Sequence, residues 1–318
     1  LDGFMVFLHN LKDTLTSLSI SSNPRSEHLD LSRFFRYLGS FPHLREMGLK
    51  IPFDGGQLSD PHTLCNFIAR HTHTLRSLSL QTTRCAVHSS PVAPESAFWI
   101  QTVLSTLQSP SHPHSPAHPP LPAFPELRSL TLALRPLKAP LDLISTFLRA
   151  HAGTLEHLAL LDRTLDLYDL RTTLLPPLLS RWPVLDLRFL APLKSLEMRV
   201  DRISPHLLIL LAQELPGLRK LRLEPADRGM YAVVSTFSPI SVAQYMSLTL
   251  PATQERFEEY LDRHQFGGAN WKLEQLEIVS SLSSASTTTG RMQLQMHQIL
   301  SSRVPGLESV NEVGPASL

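Results

Sequence analysis

The chain has 318 residues, of which 42% are hydrophobic and 18% charged, enough apolar material for a sizeable core. Its 29 Lys+Arg against 28 Asp+Glu leave a formal net charge of +1. That is not the clustered basic charge on which polyanion binding by counterion release depends, so nucleic acid is not expected as a partner. The longest apolar run, Leu207-Leu208-Ile209-Leu210-Leu211-Ala212, is far short of the roughly 20 residues a bilayer span needs, so no membrane partner is expected either.

Cys65 and Cys85 are the only cysteines; two cannot form a disulfide framework, nor by themselves a structural zinc site. There is no secretory pattern and no Asn-x-Ser/Thr sequon, which points to the cytoplasm or nucleus. Leucine fills 60 of the 318 positions while aromatics stand at 7%. One side-chain shape used in such bulk suits a stack of similar units, each filling the same slot, and that directs attention to internal repeats.

In chain order, Phe4-Met5-Phe7-Leu8-Leu11 reads as the helix of a repeat already under way. A phrase of apolar, two variable, apolar, one variable, apolar follows at Leu15-x-x-Leu18-x-Ile20. Its period-2 ending is that of a short strand. Leu29-Leu31-Phe34-Phe35-Leu38 has helical spacing, and the phrase returns at Leu44-x-x-Met47-x-Leu49. Ser59-Asp60-Pro61 then offers an N-cap with proline in the first turn, opening a helix through Leu64, Phe67 and Ile68 before Leu75-x-x-Leu78-x-Leu80.

Residues 84–123 form an insertion. It contains an amphipathic piece (Phe98, Ile100, Val103, Leu104, Leu107) and, over 109–123, a Pro/His/Ser tract. Too poor in apolar surface to offset its ordering entropy, the tract is expected to be a flexible loop. The next strand phrases are Leu127-x-x-Leu130-x-Leu132 and Leu155-x-x-Leu158-x-Leu160, with a helix through Leu141, Ile144, Phe147 and Leu148 between them. Gly153 is placed for a left-handed helix C′ position.

Around 182–189 the motif starts and then restarts at Leu193-x-x-Leu196-x-Met198, and the pattern leaves open which segment forms the ladder strand. Ser204-Pro205 opens the helix of Leu207, Leu208 and Leu211. Strand phrases follow at Leu218-x-x-Leu221-x-Leu223, Tyr245-x-x-Leu248-x-Leu250 and Leu273-x-x-Leu276-x-Ile278, with a degenerate Leu307-x-x-Val310 after them. Phe257-Tyr260-Leu261 and Met292-Met296-Ile299-Leu300 supply further helices, 225–241 an irregular bridge, and 280–290 a flexible Ser/Thr loop.

Successive phrases start 29, 31, 52, 28, 38, 25, 27, 28 and 34 residues apart, mostly near the leucine-rich-repeat length of about 20–29 or a little above it. Several are preceded by proline, as in Phe41-Pro42-His43-Leu44 and Phe124-Pro125-Glu126-Leu127. Proline ends the preceding helix and fixes an extended start. The fold predicted over 1–318 is therefore α/β: a single leucine-rich-repeat solenoid, a horseshoe with a concave parallel sheet and convex helices.

No P-loop, dinucleotide-binding, nucleophile-elbow or zincin motif occurs, and no enzyme activity, cofactor or metal is expected. His112, His114 and His118 read as part of the low-complexity tract. His71 and His73 read as helix-terminal histidines interacting with the dipole and the last carbonyls, and Cys65 as a small core residue. The mixed charges of Glu255, Glu258, Glu259, Asp262, Arg256 and Arg263 read as a solvated helix face.

Alternation sends the variable strand residues outward. The first half of that face is small and hydroxylated, including Ser129 and Thr131, with Arg135 and His157 beside them. The second half carries Glu197, Arg199, Lys220, Arg222, Glu224, Gln275 and Glu277. These residues are the candidates for contact with a protein partner or substrate, the arginines through bidentate carboxylate contacts.

Phrases such as Phe124-Pro125-Glu126-Leu127-Arg128-Ser129-Leu130-Thr131-Leu132 and Ala152-Gly153-Thr154-Leu155-Glu156-His157-Leu158-Ala159-Leu160 resemble the irregular leucine-rich repeats of fungal F-box proteins, over nearly the whole chain. The resemblance implies that the repeats select a substrate while an N-terminal F-box docks on the Skp-type adaptor of a cullin–RING ubiquitin ligase. The chain departs from that pattern in having no F-box-like Leu-Pro-x-x-Leu opening before Leu15, and the expectation is that such a module lies upstream of Leu1. The alternative is a leucine-rich-repeat sensor or signalling-regulator region of a larger protein, which an upstream P-loop would mark.

Overall fold

The structure, a computed structural model, describes residues 2–23, 29–83, 98–108, 124–135, 137, 141–174, 192–201, 203–226, 257, 259–263, 266, 270–279 and 298–313. Strands and helices alternate along it: α1 (Asp2–Asn10), β1 (Ser17–Ser21), α2 (Leu31–Tyr37), β2 (Glu46–Pro52), α3 (Pro61–Ala69), β3 (Ser77–Thr83), α4 (Trp99–Gln108) and β4 (Ser129–Ala133). Then come α5 (Asp142–Ala150), β5 (His157–Leu165), α6 (Leu167–Leu174), β6 (Ser195–Val200), α7 (Pro205–Glu214), β7 (Lys220–Pro225), β8 (Gln275–Val279) and β9 (Ser309–Val313). Two compact units emerge, divided within β5 and α6: the described residues up to 163 with 171–174, and 164–170 with those from 192 onward. Both are α/β repeats of parallel strands.

In the first unit the strands lie in chain order, β1 to β5, all parallel. The register stacks Leu18, Met47, Leu78, Leu130 and Leu158 in one row and Ile20, Leu49, Leu80, Leu132 and Leu160 in the next. All but Ile20, in the edge strand, are buried. Burial of each such side chain contributes roughly 1.5–3 kcal/mol, and a one-residue slip would turn the whole row outward. The repeat phrase and the register are thus one fact seen twice.

The backbone enforces the same register at the start of each strand. The Arg45 carbonyl accepts from the amides of Arg76 (2.7 Å) and Ser77 (3.0 Å), Arg76 from Arg128 and Ser129, and Arg128 from Glu156 and His157. In the second unit Lys194 accepts from Arg219 and Lys220, Arg219 from Glu274 and Gln275, and Glu274 from Glu308 and Ser309. There β6 to β9 again follow chain order in parallel, with Leu196, Leu221, Leu276 and Val310 in one row.

The helices start where local chemistry dictates. Asp60 caps α3, its Oδ1 accepting from the His62 amide at 3.1 Å ahead of Pro61 at the first turn; Ser204 caps α7 through the Leu207 amide at 3.2 Å. Asp30 caps α2 through Ser32 and also accepts from the Ser59 hydroxyl at 2.9 Å, while the Ser32 hydroxyl accepts from the Asp60 amide at 2.8 Å. The caps of α2 and α3 are therefore tied together. Partial burial pushes the Asp30 carboxyl up, but the bonds from Ser32 and Ser59 outweigh it and hold it below the usual range.

Two expectations need correction. Gly153 does not take a positive φ; among the described glycines only Gly55 does, at 68°. The turn after α5 closes instead through Thr154, whose amide and hydroxyl both donate to the His151 carbonyl. Second, strand alternation continued past Leu132 and Ile278 would turn Ala133 and Val279 outward, yet both are buried. β7 pairs directly with β8, Lys220 opposite Gln275; the Tyr245–Leu250 phrase lies outside the described residues. Of the two competing starts, the one at Leu193 leads into a ladder strand, β6; 182–189 lie outside the described residues, as do 84–97, the 109–123 tract, 227–241 of the bridge and the 280–290 loop. The amphipathic piece of the insertion is α4, with Trp99, Ile100, Val103 and Leu104 buried.

Candidate functional site

Neighbouring strands stand about 4.8 Å apart, so residues in register on the outward face touch one another. In the first unit those rows read Ser17, Glu46, Ser77, Ser129, His157 and Ser19, Gly48, Ser79, Thr131, Ala159. Ser129 and Thr131 are half-buried and His157 is exposed. The rows are close-packed at the first rungs: a Cβ on Gly48 would stand 3.2 Å from the Ser19 hydroxyl oxygen. Apart from Glu46 and His157, the side chains of these rows are small.

Its rim is more structured. The Arg135 guanidinium lies over the Phe53 ring, 4.7 Å from the centroid, a cation–π contact that removes Arg135 from the Ser/Thr rows. Asp162, in β5, has φ 67°, rare outside glycine, and its carboxylate accepts from the Thr82 hydroxyl of β3, across the shorter β4. Asp162 carries no strand-phrase signal, so the sequence alone does not single it out.

In the second unit the face is a lattice of charge. Glu197, Arg222 and Glu277 are in register on β6, β7 and β8. Arg222 stands 3.2 Å from Glu197 through Nε and 3.7 Å from Glu277 through Nη1. Lys220, one row earlier, reaches the other Glu277 oxygen at 2.8 Å, and Arg199 faces Glu224 at 3.8 Å in the row beyond. Gln275, opposite Lys220, is exposed. Glu277 is the most buried member, its side chain 14% exposed. Arg222 Nε is itself buried and off hydrogen-bond direction, so its attraction to Glu197 is Coulombic.

The lattice has three carboxylates and three cations. Held on strands and only partly solvated, the charges neutralise one another without leaving the surface apolar. The seven candidates of this unit come together on one face; Ser129, Thr131, Arg135 and His157 belong to the first unit.

A second charged row went unread in the sequence although its signal is regular. Apart from Thr16 in the first phrase, the residue after each first core leucine is charged: Arg45, Arg76, Arg128, Glu156, Lys194, Arg219, Glu274 and Glu308. Ion pairs join Arg76 to Glu126 (2.9 Å), Arg128 to Glu156 (3.4 Å) and Arg219 to Glu274 (3.4 Å) along the strand starts.

Among the described residues no group of three His, Cys, Asp or Glu is placed to hold a metal ion, and no helix is long and apolar enough to cross a membrane. Cys65 is buried, with its thiol donating to the Pro61 carbonyl at 3.2 Å, and burial pushes its pKa up. No protein-family model and no curated protein sequence matches the chain. What the fold and this face define is a class: an α/β repeat protein whose parallel strands alternate with helices and present ordered polar rows.

Proposed function

We propose that the chain is a non-enzymatic protein-binding scaffold, a leucine-rich-repeat solenoid whose outward strand face takes a protein partner or substrate. Within that reading it is the substrate-recognition region of an F-box-type adaptor of a cullin–RING ubiquitin ligase. The observation that carries the binding role is the Glu197–Arg222–Glu277–Lys220 lattice. Its charges are held on paired strands, so docking orders few new side chains. Its alternating signs favour a partner surface of matching mixed charge and repel one of a single sign. The ubiquitin-ligase role rests on the resemblance of the repeat phrases to those of fungal F-box proteins.

A quantitative pull-down with the whole chain as bait tests the binding role. Partners are expected to be lost with Lys220→Glu plus Arg222→Glu and kept with Arg263→Glu, whose own ion pair lies on a helix. A bound set indifferent to the lattice charges would overturn it. The ligase role is tested separately, by whether the full-length gene product recovers a Skp-type adaptor and a cullin; an upstream sequence with no F-box would overturn that part alone.

A further inference from the structure

The first unit contains the same buried construction twice. Phe41-Pro42-His43-Leu44 is followed by Phe67-x-x-x-His71-x-x-Thr74-Leu75, and Phe124-Pro125-Glu126-Leu127 by Phe147-x-x-x-His151-x-x-Thr154-Leu155. His71 and His151 are each 2% exposed. His71 Nδ1 lies 2.7 Å from the Phe67 carbonyl at the end of α3, and its Nε2 accepts from the Phe41 amide at 2.9 Å. His151 repeats this with the Phe147 carbonyl (2.8 Å) and the Phe124 amide (3.3 Å). Each ring is flanked by the same two phenylalanines that supply these groups.

This geometry admits one protonation state. A carbonyl can only accept, so Nδ1 must carry the hydrogen; an amide can only donate, so Nε2 must be bare. The bond to Nε2 is the one that crosses between repeats, joining the turn before one strand to the helix end before the next. A proton on Nε2 would abolish it and leave a buried amide without an acceptor, which is costly.

We propose that His71 and His151 are twin acid latches: each ties its repeat to the preceding one only while its ring is neutral, so acidification below the ordinary histidine range releases these two seams of the first unit. The second unit has Glu214 and Arg303 at the corresponding place, four residues before Leu218 and Leu307, and has no such release there.

The surroundings agree. Burial holds both rings below the ordinary value of 6.5, against the Phe67 and Phe147 carbonyls that favour the charged ring. The turns supplying Phe41 and Phe124 carry His43 and Glu126, α3 and α5 are followed or ended by Arg70 and Arg149, α2 carries Arg33 and Arg36, and α4 has no charged residue. Of these groups Arg70 acts on a ring, His71, and it opposes the proton. With the folded value depressed, the contribution to stability is complete above about pH 6.5 and is lost as pH falls from there toward the folded value. Across that window the opening constant rises by up to about tenfold per pH unit for each latch.

Nitrogen-15 NMR of the whole chain tests this directly. At neutral pH both rings should be Nδ1–H tautomers, and from pH 7 to pH 5 the exchange protection of the Phe41 and Phe124 amides should fall, by up to about tenfold per pH unit. The Leu218 amide, in the second unit, should keep its protection. In His71→Gln plus His151→Gln the two phenylalanine amides should lose this acid dependence. An Nε2–H tautomer, or Phe41 and Phe124 protection that does not change with pH in the wild-type chain, overturns the proposal whether or not the double variant folds.

Discussion

The two units share an interior and differ in what they show to solvent. Behind the strands both stack leucine on leucine in unbroken register, Leu78 on Leu130 on Leu158 in one and Leu196 on Leu221 on Leu276 in the other. On the outward face the first presents Ser79, Thr131 and Ala159 where the second presents Glu197, Arg222 and Glu277. The inward rows answer to packing, which tolerates one shape; the outward rows answer only to solvent and to whatever docks there. The same holds at the position four residues before the first core leucine. It is a buried neutral histidine twice in the first unit, and in the second Glu214, whose carboxyl burial pushes up.

The largest test of the shared interior is Leu130→Ala beside Leu221→Ala. Each should cost about 2–5 kcal/mol in urea melts, because a slot emptied between two stacked neighbours cannot collapse. A loss at one site only would show that the two interiors are not equivalent. On the outward faces the comparison should separate. Glu277→Ala leaves Lys220 and Arg222 without their shared, mostly buried carboxylate. It is expected to cost about 1–3 kcal/mol, more than an exposed ion pair and less than a fully buried one. Thr131→Ala, on the corresponding face of the first unit, should cost less than the smallest loss expected for Glu277→Ala.

The response to pH sharpens the contrast in sign. Acid weakens the first unit through His71 and His151. Glu214, with its folded value raised, opposes folding when ionised, so its contribution is intact below the ordinary Glu value and is lost as pH rises through the folded one. Glu214→Gln should therefore stabilise the protein at neutral pH and flatten that part of the stability profile, read from melts between pH 4 and pH 7. The smallest effect belongs to Ser129→Ala, outward and half-buried next to Leu130, which should fall within about 0.5 kcal/mol of neutral. A loss equal to that of Leu130→Ala would contradict the facing of β4.

Much of this was legible in the residues. Each leucine phrase that falls on described residues leads into a strand, and Asp60-Pro61 and Ser204-Pro205 mark helix starts, because capping and alternation are set by neighbours a few positions away. Gly153 misled for the same local reason: glycine permits a left-handed turn, but the Thr154 hydroxyl and amide on the His151 carbonyl close this one without it.

The chain alone thus determined its alternation of strands and helices, its leucine rows and the outward facing of its candidate binding residues, all consequences of periods of two and of 3.6. Tertiary structure decided who meets whom. It joined Glu197, Arg222, Lys220 and Glu277 into one lattice, set Arg135 on Phe53, and turned two histidines into links between repeats through amides 30 and 27 residues away. Such partners are fixed by strand register and burial, and no local pattern encodes the far end of a bond.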